Sequence, residues 1–146
     1  MKRLLTAALC LATTPAFAGG ITIDDAYARA SRPGAPTGAM FMAITNTAET
    51  ADRLIGAASP VAQMVELHTH IEADGIMRMR PIEGGIEVQA GQTHMLQRGG
   101  DHVMLMGVTE TLENGDVVPL VLTFEQAGEV ELEVVVDNDR EQGHGN

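Results

Sequence analysis

Cysteine is almost missing from this chain. The single one, Cys10, sits in an N-terminal stretch that reads as a removable leader. Beyond it there is no thiol nucleophile, no disulfide, no Cys-x-x-Cys redox pair and no Cys-built zinc or iron–sulfur site. Aromatic residues are also scarce, with three Phe, one Tyr and no Trp. The core must therefore rest on aliphatics and Met, and stacking platforms for nucleobases are lacking. Basic side chains number 9 against 20 acidic ones, for a formal net charge of −11. Binding to a phosphate backbone needs clustered Lys and Arg, so nucleic-acid partners are excluded, and docking on an anionic membrane is disfavoured. No long segment carries a helical period.

What is present fits one globular domain: 146 residues, 45% hydrophobic and 20% charged. Residues 1–18, MKRLLTAALCLATTPAFA, combine Lys2 and Arg3, an apolar run and a terminal Ala16-Phe17-Ala18. That is the layout of a cleavable signal peptide. The apolar run is short and carries Pro15, so it suits a leader better than a membrane anchor. Leu9 occupies the position before Cys10 where a lipoprotein signal wants a small residue. The expected mature protein begins at Gly19, has no cysteine, does not insert into a membrane and works in a bacterial periplasm. Losing Lys2 and Arg3 takes its formal charge from −11 to −13.

The rest reads as short strands divided by turns. Residues 21–30, 38–46, 52–59, 64–71, 75–82, 94–97, 102–109, 116–125 and 128–136 are apolar or alternating, with Gly, Pro, Asn or Asp between them. Glu129, Glu131 and Glu133 alternate with aliphatics, as in a half-buried strand. Asn114-Gly115 reads as a hairpin turn. These features predict an all-β sandwich or small barrel of about seven to nine strands, spanning 19–136, with a mobile polar tail over 137–146.

Histidine and methionine concentrate between 64 and 106, at Met64, His68, His70, Met77, Met79, His94, Met95, His102, Met104 and Met106. Alternation along a strand sends Met64, Glu66, His68 and His70 to one face and Val65, Leu67, Thr69 and Ile71 to the other. Ala73-Asp74-Gly75 marks a hairpin tip. A loop of two or four residues puts His68 and His70 on the same face as Met77 and Met79, whereas a three-residue loop reverses that relation. His102 and Met104 share a face if their segment is a strand. Thioether sulfur with imidazole suits Cu(I), and Met has no proton to lose on binding. Zinc prefers Cys, several His or a carboxylate, and Cu(II) more nitrogen and oxygen. Set against this, Met is a common core filler. Met40, Met42, Met64 and Met106 are expected in the core, Met77 and Met95 are balanced between the two roles, and His94 and His144 are expected in solvent. Spacing alone leaves the group His68, Met79, His102 and Met104 evenly poised between packing and ligation.

At these four residues the sequence resembles the PCu(A)C-type periplasmic copper chaperones, also called the DUF461 family. Their pattern is His, ten residues, Met, about twenty-one residues, then His-x-Met. Here ten residues separate His68 from Met79 and twenty-two separate Met79 from His102-Val103-Met104. Gly84-Gly85 can hold the additional one. The text ELHTHIEADGIMRMRPIEGGIEVQAG, GGDHVMLMG and LENGDVVPLVLTFEQAGEVELEVVV extends the likeness over nearly the whole mature chain. The resemblance implies a cupredoxin-like, Ig-like β-sandwich binding one Cu(I) through His68, Met79, His102 and Met104. It also implies delivery to the Cu(A) subunit of cytochrome c oxidase, often beside a Sco-type thiol protein. Many members carry Met where this chain has His70, which adds a nitrogen as a group behind the ligands or as a contributor to Cu(II) capture. The tail has one His and no Met, which speaks against a second copper site there.

Three other functions compete with this one. A copper buffer for tolerance shares the same site. Catalysis is poorly provided for, since the only serines, Ser31 and Ser59, lie in no nucleophile elbow, and a blue-copper centre wants a Cys thiolate. A metal-free interaction module is compatible with the fold alone.

Overall fold

The structure is a computed structural model and describes residues 16–140. Those residues form no helix and eleven strands. They are β1 Ala16–Ala18, β2 Ile21–Ala30, β3 Thr37–Asn46, β4 Asp52–Ala58, β5 Ala62–Ala73 and β6 Ile76–Pro81. There follow β7 Ile86–Val88, β8 Thr93–Leu96, β9 His102–Val108, β10 Val117–Phe124 and β11 Gly128–Val136. The expected sandwich class holds. The strands outnumber the seven to nine expected because β1 touches the leader and the three-residue β7 is too short to show a period. Most of the leader and residues 141–146, with Cys10 and His144, lie outside the described residues.

Hydrogen bonds connect the strands in the order β6-β5-β9-β3-β2-β11-β10-β4-β7. The two halves of this path meet where β11 runs parallel to β2 for two residue pairs. Strand β3 is shared lengthwise, Thr37 to Met40 pairing with β9 and Met42 to Thr45 with β8. The path curls, and the Asn46 side-chain amide donates to the Val88 carbonyl, joining β3 to β7. Buried residues from both halves, among them Ala28, Met40, Leu67 and Val103 from one and Leu54, Leu120, Phe124 and Val134 from the other, form one cluster. Each large apolar side chain in it contributes about 1.5–3 kcal/mol by leaving water.

Alternation therefore separates two faces on the half that runs from β6 to β2. Leu67, Val103, Met40 and Met42 point into the cluster. Glu66, His68, His102, Met104 and Phe41, each displaced by one residue, point the other way. Met40 and Met42 are core residues, as expected. Met64 is not: it is 53% exposed, and its strand neighbour Val65 is the one packed inward. Met106 is only half-buried for the same reason of parity.

Three further expectations change. Asn114-Gly115 does not close a hairpin between paired strands. It turns the chain into β10, with the Asn114 side-chain oxygen accepting from the Asn138 amide. His94 stands in β8, half-buried, with Nε2 2.8 Å from Asp101 Oδ2. Residues 137–140, at the start of the expected tail, are tied to the sandwich. The Asp137 amide donates to Ala28 O, the Asn138 side chain links Ala30 and Leu112, and Arg140 pairs with Asp25 while lying 4.2 Å over the Tyr27 ring.

One buried carboxylate joins β4 to the turn between β10 and β11. Asp52 accepts from the amides of Arg53 at 2.7 Å, Gln126 at 2.8 Å and Ala127 at 3.0 Å. Removing the acceptor leaves three partly buried amides without it. Asp52→Ala is expected to lower stability by about 1–3 kcal/mol in urea unfolding, with the fold retained by circular dichroism.

Candidate metal centre

The β5–β6 hairpin decides which face Met79 joins. Its turn is the two-residue Asp74-Gly75, with φ of 54° and 77°. Two successive left-handed residues make the turn whose twist matches paired strands, and Gly adopts the second at no steric cost. The resulting register sets His70 opposite Met79, Glu72 opposite Met77 and His68 opposite Pro81. On its other side β5 sets His68 opposite His102 and Glu66 opposite Met104. Two hairpin-forming segments and a distant strand thus bring their sulfur and imidazole groups to the outer face of one sheet.

There a cleft of about 300 Å³ is lined by His70, Met79, His102 and Met104, with Phe41, Ala39, Arg29, Ala30, Ser31, Arg98 and Gly99. His102 is 2% exposed and Met104 8%, whereas Met79 is 50% exposed. The bottom of the cleft is therefore dry and its rim wet. Three of the four motif residues line this cleft. His68 stands one pair inward along β5, its ring 6.0 Å from that of His102, while the ring of His70 is 5.3 Å away.

Backbone and carboxylate oxygens orient the three imidazoles. His102 Nδ1 is 3.1 Å, and His70 Nδ1 3.3 Å, from the same acceptor, Gly100 O. A carbonyl only accepts, so both rings carry a proton on Nδ1, which leaves Nε2 as the nitrogen through which either ring in its neutral form could donate electrons. His68 is held the other way: its Nε2 is 2.8 Å from Glu66 Oε2, and its Nδ1 is buried without a hydrogen-bond partner. Burial of such an unpaired nitrogen is costly, and a metal ion is one group that satisfies it. Burial also pushes the His102 pKa down from its ordinary 6.5; the Gly100 carbonyl opposes this, and His70 and His68 add to it. His102 is thereby kept neutral, the form that donates electrons to a metal.

The remaining candidates fall elsewhere. Met77 is exposed and two residues along β6 from Met79, outside the cleft. Met95 is exposed on β8, and His94 is engaged with Asp101. No three His, Cys, Asp or Glu among the described residues are placed to hold one metal ion by themselves, so an ion in the cleft would need the thioethers as well. Glu66 and the Gly100 carbonyl had no role assigned from sequence. The Glu-x-His spacing on a strand signals the first, because alternate residues share a face. The second depends on how the 99–100 turn folds back, which no residue pattern announces.

The profile of the LpqE-like family matches residues 21–136. A curated relative from Leifsonia xyli subsp. xyli, named "Putative lipoprotein Lxx21020", is 32% identical over 107 residues, which is 73% of this chain and 63% of the relative. The chain thus spans somewhat under two thirds of that protein. Among solved structures, the copper-bound PCuAC domain from PmoF2 aligns with a TM-score of 0.71 at 26% identity, covering 86% of this chain and 98% of that domain. The solution structure of CuI-DR1885 from Deinococcus radiodurans aligns at 0.60 with 30% identity, covering 80% and 78%. Its apo form aligns at 0.63 with 28% identity, covering 95% and 93%. With a cupredoxin-like sandwich shared with these domains and a family profile that spans eleven of every fourteen residues or so, from the start of β2 to the end of β11, the chain belongs to the LpqE-like, PCu(A)C-type family.

Proposed function

We propose that the protein is an exported, non-catalytic Cu(I) carrier of the periplasm, binding through His68, Met79, His102 and Met104 and handing copper to the Cu(A) subunit of cytochrome c oxidase. A Sco-type thiol protein is the natural co-worker. The observation that carries the reading is the convergence of Met79, Met104, His102 and His70 on one open cleft, with the His68 ring 6.0 Å from that of His102. Soft sulfur ligands favour Cu(I) over zinc and over Cu(II). The copper-bound relatives of the same fold and the leader-like residues 1–18 support the same conclusion.

The geometry suits a carrier. His102 and Met104 lie at the protected base, so they hold the ion in a poorly hydrated setting. Met79 stands at the rim, where an incoming ligand displaces it first. Exchange then proceeds through shared-ligand intermediates, without free copper. His68, oriented by Glu66, supplies a second nitrogen; a carboxylate behind a ligating histidine raises its basicity and sets its tautomer. His70 adds a third imidazole at the cleft wall, which suits capture of Cu(II).

Titration of the apo protein with Cu(I) against a competing chelator is expected to give one equivalent. Met104→Ala should lose tenfold or more in affinity, about 1.4 kcal/mol, and X-ray absorption of the loaded protein should show sulfur and nitrogen neighbours together. Clearly less than one equivalent, or an unchanged Met104→Ala, overturns the proposal. Deletion of the gene should lower oxidase activity; copper sensitivity with a normal oxidase would assign storage instead.

For His70, the expected result is a split between oxidation states. His70→Gln should weaken Cu(II) binding, followed by electron paramagnetic resonance, while Cu(I) affinity stays within a few-fold. Equal Cu(II) binding in the variant would leave His70 as a group behind the ligands.

The depressed His102 pKa has a stability consequence. Between its folded value and the ordinary 6.5 of the unfolded chain, the unfolded state binds more protons, so stability rises with pH. The contribution is complete above 6.5 and is lost as pH falls through the folded value. Urea unfolding of the apo protein at a series of pH values should show this decline, with a shallower slope in His102→Gln.

A further inference from the structure

Resting on the Cu(I) reading of the cleft, we propose that Met64 and Met106 form a second, weaker site for a soft monovalent metal on the same face of the sheet. The two stand directly opposite each other across β5 and β9. Directly opposed residues of an antiparallel pair have Cβ atoms about 4.5–5.5 Å apart, and Met side chains are long and flexible enough for both sulfurs to reach one ion. Alternation puts them on the face of Glu66, Met104, His68 and His102, two residues along each strand from the Glu66–Met104 pair. That step is roughly 7 Å.

Neither side chain is accounted for by packing. Met64 is 53% exposed, Met106 is half-buried, and neither belongs to the hydrophobic cluster or to the layer packed against it. The part of an apolar side chain left in water contributes nothing to stability, and that is more than half of Met64. The donor set is thioether alone, with no imidazole in the pair, so it selects Cu(I) or Ag(I) and rejects zinc and Cu(II). The Glu66 carboxylate stands between this pair and His68 on β5, on the line between the two sites. With two ligands and open water around it, the pair binds more weakly than the cleft. Its position makes it a stopping point for an ion entering or leaving by way of Met104.

The test uses the full chain with ¹³C-labelled methionine methyl groups and Ag(I) as a redox-inert probe of Cu(I) sites. The first equivalent is expected to shift the Met79 and Met104 methyls. Excess Ag(I) should then shift Met64 and Met106 together, in fast exchange. The double variant Met64→Leu, Met106→Leu, close in volume and shape, should keep the first event and lose the second. Shifts confined to Met79 and Met104 overturn this proposal and leave the carrier function standing. Shifts at Met64 and Met106 alone sustain the pair and overturn the cleft reading. No shift at any of the four overturns both.

Discussion

Strand register is the constraint on which the site depends. His68 faces His102 across β5 and β9, and His70 faces Met79 across β5 and β6. A slip of one residue in either ladder would turn the histidines or the sulfurs into the aliphatic cluster. Two devices hold the register. Leu67 and Val103 can reach the core only in this pairing, and Asp74-Gly75 admits only a two-residue loop of one twist. The apolar layer and the layer of histidines and thioethers are consequently the two sides of the same alternation, and neither can be rearranged alone.

This coupling explains why much of the arrangement was legible in the sequence. Period-two patterning placed Met64, Glu66, His68 and His70 on one face, and the hairpin signal at 73–75 left only a choice between loop lengths, which the two left-handed residues decide. The sandwich class followed from short alternating segments with no helical period. The rest depended on three-dimensional facts. Met64 looked like a core residue because hydrophobicity suggested burial, yet parity with Val65 put it outside. The shared acceptor at Gly100 arises from a turn that folds back over two strands. The polar character of 137–140 suggested mobility, but Asn138 satisfies backbone groups on β2 and on the segment before β10. Polar composition is a poor guide where the side chains substitute for a missing strand partner.

The outer face also reconciles two demands that usually conflict. A metal held at a bare sheet surface competes with water, whereas one sealed inside the core cannot be exchanged. Here Phe41 and Tyr27 build a small apolar patch on the outer side, with ring centroids 5.2 Å apart, and the Phe41 ring lies 6.1 Å from His102. Neither aromatic belongs to the main cluster. Phe41, backed by Tyr27, dries one side of the cleft, and the other stays open at Met79. In a chain with so few aromatic rings, two of the four stand beside the cleft.

That patch is in turn roofed by Arg140, which stacks on Tyr27 and pairs with Asp25 at the bulge of β2. The last described residue of the chain is thus packed on the aromatic pair beside the cleft, although it lies beyond the final strand. A domain boundary drawn at Val136, where the sandwich ends, would remove the cation that covers Tyr27 and leave Asp25 without its partner. Truncated versions and fusions made close to the end of β11 therefore lose contacts that the intact chain makes on the outer face of β2.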